Sequence, residues 1–171
     1  MPAAFLIRTA TPDDARPIHR LMTRHAAEGH LLARTLADVT EHAGRFLVAT
    51  SRGRIVGCAE LAPLSAAVAE VRSFVVAGRT RGRGVGRTLI NRLRLRARRA
   101  GFEQLCAFTH SPEYFLRLGY SIVSHASVPE KIETDCRQCP LFGTCGQYAM
   151  VDELGVAAAQ HASPMVALAA R

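Results

Sequence analysis

The sequence predicts a mixed α/β fold in which one central sheet of about six to seven strands is flanked by helices. Three observations carry this. Apolar or alternating runs of strand length recur along the chain, separated by turn residues. Helical patterns fall between those runs instead of forming a block of their own. The 171 residues, 49% of them hydrophobic, suit one domain with a real core.

Taken in order, residues 3–9 alternate and read as the first strand. Thr11-Pro12-Asp13-Asp14 presents a capping residue, a proline at the first helical position and acids in the first turn, so a helix runs from there to about residue 27. A second helix covers 36–43. Strands at 46–50 and 55–62 are joined by the hairpin turn Ser51-Arg52-Gly53-Arg54, and another strand covers 67–76. A long helix then runs to about residue 100, with Val85, Leu89, Leu93 and Ala97 at four-residue spacing and Gly101 ending it. Residues 105–109 form a buried-type strand and 111–118 a short helix. Strands at 119–124 and 148–154 follow, with a loop between them. The domain occupies 1–154, and 155–171 is an alanine-rich tail.

The charge is +8 and the pI about 10.1. Arginine supplies 21 of the 22 basic residues, Lys131 being the only lysine, which is the bias a GC-rich coding sequence produces. Nucleic-acid binding is therefore not the reading of this excess. No apolar run approaches the roughly 20 residues that span a bilayer. The N-terminus lacks a basic head followed by an apolar stretch, and a cytoplasmic protein is expected. The five cysteines, odd in number, argue against a disulfide framework.

Arg81-Gly82-Arg83-Gly84-Val85-Gly86 lies between a strand and a helix N-terminus, a place that favours an anion. The first turn of a helix has unpaired N–H groups and partial positive charge. Glycines admit close approach of a phosphate, and Arg79, Arg81, Arg83 and Arg87 add charge. A Walker loop would end in Gly-Lys-Ser/Thr, which is absent, and the G-x-G-x-x-G dinucleotide spacing fails because Gly86 follows Gly84 by two. Arg81, Gly84 and Gly86 instead match Arg/Gln-x-x-Gly-x-Gly/Ala, the acetyl-CoA signature.

With that loop, the stretch from Glu70 to Tyr120 resembles the core of a GNAT N-acetyltransferase, and the likeness extends from about Leu6 to Val151. Within the superfamily the chain looks like the acetyltransferase domain of N-acetylglutamate synthases in the short form without a kinase domain. That match is carried by Leu31-Leu32-Ala33-Arg34-Thr35-Leu36, Ile55-Val56-Gly57-Cys58-Ala59-Glu60-Leu61, Ala69-Glu70-Val71-Arg72-Ser73 and Thr109-His110-Ser111-Pro112-Glu113-Tyr114-Phe115. Pro129-Glu130-Lys131-Ile132 and Asp135-Cys136-x-x-Cys139-Pro140-x-Phe142-x-x-Cys145 complete it.

The resemblance implies a GNAT fold and acetyl-CoA as cosubstrate. The backbone of Phe74, Val75 and Val76 would hold the pantetheine arm, and the amides of Arg81, Gly82, Arg83, Gly84, Val85, Gly86 and Arg87 the pyrophosphate. An α-ammonium must lose a proton before it can attack, and Glu70 is the candidate base, its alternative being a surface ion pair with Arg72. Arg34, Arg72 and Lys131 are the candidate partners for the carboxylates of an L-glutamate acceptor. The general acid is left open: Phe115 stands where relatives carry a tyrosine, and Tyr114 is expected to point elsewhere on its helix. Cys136, Cys139 and Cys145 read as reduced structural thiols, the alternative being a zinc or iron–sulfur fragment with His125, His110 or Asp135 as fourth ligand, and no metal is assigned; Cys58 and Cys106 read as core. His110 reads as a polar loop residue. The leading function is acetylation of L-glutamate, the entry step of arginine synthesis. Another amine, a protein N-terminus, or a non-catalytic acetyl-CoA sensor are the alternatives. The excess positive charge disfavours a polyamine, and a homodimer is expected from the resemblance.

Overall fold

A computed structural model describes residues 5–26 and 33–155. The tail from 156 onward and Leu31-Leu32 lie outside the described residues. A seven-stranded sheet runs in the order β1-β2-β3-β4-β5-β7-β6. Its strands are β1 (Leu6–Thr9), β2 (Phe46–Ser51), β3 (Arg54–Pro63), β4 (Val68–Val76), β5 (Gln104–Thr109), β6 (Ser121–Val123) and β7 (Tyr148–Glu153). The helices are α1 (Ala15–Ala26), α2 (Leu36–Glu41), α3 (Val85–Arg99), α4 (Pro112–Leu116) and α5 (Pro129–Thr134). Every neighbouring pair of strands is antiparallel except β4 and β5, which are parallel and joined through α3.

The sheet is covered on both faces. On one, Ala59, Leu61, Ala69, Val71, Leu105 and Ala107 pack against Val85, Leu89, Ile90, Leu93 and Ala97 of α3, which validates the four-residue spacing read from the sequence. On the other, Val48, Cys58 and Val75 meet Ile18 and Met22 of α1 and Val39 of α2. Val68 and Cys106 alternate with the α3-facing residues and so lie on this second face, where they join Val128 and Val151 in a smaller cluster. Between these two apolar clusters the second face is polar.

One irregularity sets that pattern. Cys58 pairs with Val75 and Glu60 with Arg72, so two residues of β3 span three of β4. The extra residue is Ser73, held at φ 50°. Such a bulge resets strand alternation. Glu70 and Arg72 face the α1 side, whereas Phe74 turns to the α3 side and packs there.

Two elements differ from expectation. The first helix opens with a 3-10 turn over Pro12–Asp14 before α1, because the Asp14 carboxylate reaches back to the chain entry. Its Oδ2 accepts from Thr11 N at 2.9 Å and Arg8 Nη1 at 2.6 Å, and its Oδ1 from Arg8 Nη2 at 2.8 Å. Helix α5 lies inside the segment read as a loop. It spans six residues, starts at a proline and buries none of its residues, so it has no apolar stripe to betray it.

Hydrogen bonding by Arg8 holds the Asp14 carboxyl down at about 2, against an ordinary 3.8. A carboxylate depressed on folding contributes stability that is complete above its unfolded pKa and is lost as pH falls through its folded one. Asp14→Asn therefore lowers stability by about 1 kcal/mol at neutral pH. Urea denaturation should show that difference persisting down to about pH 4 and vanishing as the pH approaches 2.

Candidate active site

The loop after β4 makes one turn over Gly78–Thr80 and reaches α3 through two glycines in the left-handed region, Gly82 at φ 76° and Gly84 at φ 83°. Side chains there would be strained, which explains why the sequence spends glycine at both. Gly84 caps α3 with no side-chain hydrogen bond, so the first-turn N–H groups face outward. They border a groove of about 450 Å³ lined by Phe74, Val76, Thr80, Tyr114 and the loop itself. A Cβ at Gly86 would stand 2.5 Å from Tyr114 Oη and 3.0 Å from Phe74 Cζ, so any side chain there would force these rings to move, which favours glycine.

The groove leads into a fork. β4 and β5 pair over only three residues, Val68 with Gln104, Ala69 with Leu105 and Glu70 with Cys106. Beyond Glu70 no ladder pair joins them, while β4 continues to Val76 and β5 to Thr109. Phe74, Val75 and Val76 thus run toward the loop with their β5-side edge open. A second, larger cleft of about 630 Å³ opens from the fork on the α1 side, and Phe74, Val76 and Arg81 line both spaces.

At the vertex of the fork sits Glu70, only 3% exposed. Lys131 Nζ donates to its two oxygens at 2.8 and 2.9 Å, and Arg72 Nε to Oε2 at 2.5 Å. Arg72 Nη2 and Lys131 Nζ, the latter at 2.8 Å, also donate to Asp135 Oδ2. The ion pair with Arg72, named above as the alternative to the base role, forms, but it is buried and Lys131 joins it. Burial disfavours the Lys131 ammonium, yet Glu70 and Asp135 more than offset it, and its pKa lies above the usual lysine value.

Arg34 enters the same cleft from the chain before α2. It donates from Nε to Asp38 and from Nη1 to Glu60, and Nη1 also reaches Ser73 Oγ at 3.0 Å. Glu60 is 1% exposed; the sequence shows it only as one residue of the strand stretch 55–61, and nothing local gives it a role. The cleft therefore brings Glu70, Arg34, Arg72 and Lys131 together, and in every case a partner on another element completes the placement.

Two further placements matter. Phe115 is core, with its ring edge-on to Phe74 at 6.2 Å and to Tyr120 at 5.1 Å. Tyr114, expected to point away, instead lines the groove at the start of α3 with its ring 5.6 Å from Phe74. Because α4 is a single short turn, tertiary packing decides which aromatic faces the groove. Cys58 and Cys106 are fully buried, as expected, and burial pushes the Cys58 thiol up to about 12. Among the described residues, no group of three or more His, Cys, Asp or Glu side chains is placed to hold a metal ion. Cys139 and His110 line the larger cleft.

Residues 42–122 match the model of the acetyltransferase (GNAT) domain. An uncharacterised N-acetyltransferase of Chlorobaculum tepidum is 34% identical over 155 residues, covering 90% of this chain and all of that one. The chain belongs to the GNAT family of N-acetyltransferases. Within that family, an amino-acid acetyltransferase of Mycobacterium tuberculosis is 27% identical over 130 residues, 74% of each chain. The structure of N-acetylglutamate synthase from Neisseria gonorrhoeae, complexed with coenzyme A and N-acetyl-glutamate, superimposes with a TM-score of 0.80 at 25% identity. That match covers 91% of this chain and 36% of the synthase, so the GNAT chain spans about a third of it. Among the described residues no helix is long and apolar enough to cross a membrane.

The Arg34–Glu60 pair carries its own prediction. Arg34→Ala strands a buried carboxylate and should destabilise the GNAT domain by about 3–5 kcal/mol, whereas adding Glu60→Gln recovers most of the loss. Urea denaturation of the single and double variants checks it. A double variant no more stable than Arg34→Ala would show that the pair does not support the fold.

Proposed function

We propose that this GNAT protein transfers the acetyl group of acetyl-CoA to the α-amine of an amino acid, with L-glutamate as the acceptor. The observation that carries the reading is the position of Glu70. It is the last residue of β4 that pairs with β5, and so stands where the strand edge left open toward β5, leading from an anion-binding helix terminus, meets a charged cleft.

In this reading the outward N–H groups at Gly84–Gly86 hold the pyrophosphate, with Arg79, Arg83 and Arg87 around it. The pantetheine arm runs along Phe74, Val75 and Val76, which brings the thioester to the fork. The acceptor enters from the larger cleft. Its amine loses a proton to Glu70, directly or through water, and attacks the thioester carbonyl. The tetrahedral intermediate collapses with cleavage of the C–S bond; the attacking nitrogen gives up its second proton as the amide forms, and that proton, carried directly or through water, neutralises the departing thiolate. Arg34, Arg72 and Lys131 face the acceptor's carboxylates. The relatives named as amino-acid acetyltransferases and as N-acetylglutamate synthase support this choice of acceptor.

The test is CoA release from acetyl-CoA with L-glutamate set against glutamine, aspartate, lysine and spermidine. Selective turnover with glutamate is expected. Preference for another amine would discard the glutamate assignment while keeping the transfer chemistry. In the same assay Glu70→Gln should lower kcat about 10²–10⁴-fold with CoA binding retained. A variant turning over at the wild-type rate would remove Glu70 from the proton path.

A further inference from the structure

The cleft holds a carboxylate that the proposed transfer does not use. Asp135 follows the last residue of α5, and its Oδ2 accepts from both Lys131 Nζ and Arg72 Nη2. Those are two of the three cations assigned above to the acceptor. A carboxylate of the protein thus sits where a carboxylate of the substrate is wanted.

Glu70 shares the same two cations, but the two acids differ in how firmly they are held. The Glu70 side chain is 5% exposed and projects from a strand paired on both sides at that residue. The Asp135 side chain is 35% exposed, at the mouth of the cleft. Its backbone leaves the helix at φ −127° and ψ −43° and passes into the short turn Cys136–Gln138. One backbone bond, from Asp135 N to Lys131 O at 3.0 Å, ties it to α5. A residue in the middle of a sheet cannot withdraw without breaking its ladders, whereas a residue at a helix end can.

Charge decides what can enter. Arg72 and Lys131 balance Glu70 and Asp135, two against two. A substrate carboxylate added to this set would leave one anion uncompensated in a largely buried site. Exchange with Asp135 keeps the cluster neutral. Departure of Asp135 also frees a guanidinium N–H beside an ammonium, a two-point receptor for one carboxylate.

We infer that Asp135 is an internal stand-in for an acceptor carboxylate: it fills the Arg72–Lys131 anion site of the empty protein and gives way when the substrate's carboxylate arrives. This rests on the amino-acid reading above and states how that acceptor is admitted. The chain beyond Asp135 carries Gln138, Cys139 and Pro140 into the cleft lining, so the exchange also moves its mouth. A receptor occupied by its own carboxylate binds a ligand with affinity reduced by the fraction of time it stands open.

Asp135→Asn keeps the shape and removes the charge, and should lower the KM for L-glutamate about tenfold. The KM for acetyl-CoA should not follow, and Asp135→Glu, which retains the carboxylate, should show no such gain. A glutamate KM that is unchanged or raised in the Asn variant overturns the inference. Hydrogen exchange on the wild-type protein checks it without a variant. Saturating glutarate, which has both carboxylates and no amine, should speed exchange of the amides at 135–139, and unchanged or slowed exchange counts against it. The failures separate, because a wild-type protein that acetylates no amino acid sinks the acceptor reading, while the glutarate measurement still decides on Asp135.

Discussion

The parting of β4 from β5 after the Glu70–Cys106 pair is the constraint on which the rest of the molecule depends. Parallel neighbours in one sheet would normally continue to hydrogen-bond along their length. Here three pairs suffice to hold the strands, and the remainder of each is left to diverge. The divergence needs support from both sides. On one, α3 packs under β3 and β4 through Val85, Leu89 and Leu93. On the other, α5 and the chain after it fill the space beside β5 with charged and polar groups rather than apolar ones.

That filling explains why the second face of the sheet has two apolar clusters with a polar gap between them. Buried charges are tolerated only when paired, and here they are: Arg34 with Glu60, and Arg72 and Lys131 with Glu70 and Asp135, with β4 and α5 tied together through the cluster. The Ser73 bulge belongs to the same design. By resetting alternation it lets β4 present Glu70 and Arg72 to the cleft and then Phe74 to the groove beside Tyr114. One strand thereby serves both sides of the fork, and its strained residue accepts a hydrogen bond from Arg34.

Much of this was legible in the residues because local rules agree with the global fold. The 3.6-residue stripe of α3, the turn at Arg52-Gly53 and the capped start at Thr11 each report a local preference that packing did not override. The loop Arg81–Gly86 was legible for the same reason, since glycine spacing and arginine density encode a backbone shape and a charge. Where local rules were weak, the reading failed. Six residues starting at Pro129 make a helix with no buried face, and the single turn of α4 left Tyr114 and Phe115 indistinguishable by position alone.

The sequence by itself determined the α/β class, the order of nearly all elements, the glycine- and arginine-rich loop before α3 and the residue types available to the site. Those properties are short-range, set by spacing within a strand or a turn. Only the tertiary structure decided that Glu70 is the vertex of a fork, that Glu60 and Asp135 neutralise the very cations assigned to the acceptor, and that Tyr114 rather than Phe115 faces the groove. Such facts join residues 26 to 63 positions apart through buried charges whose energy depends on distance and desolvation. Neither quantity is written in the order of residues along a chain.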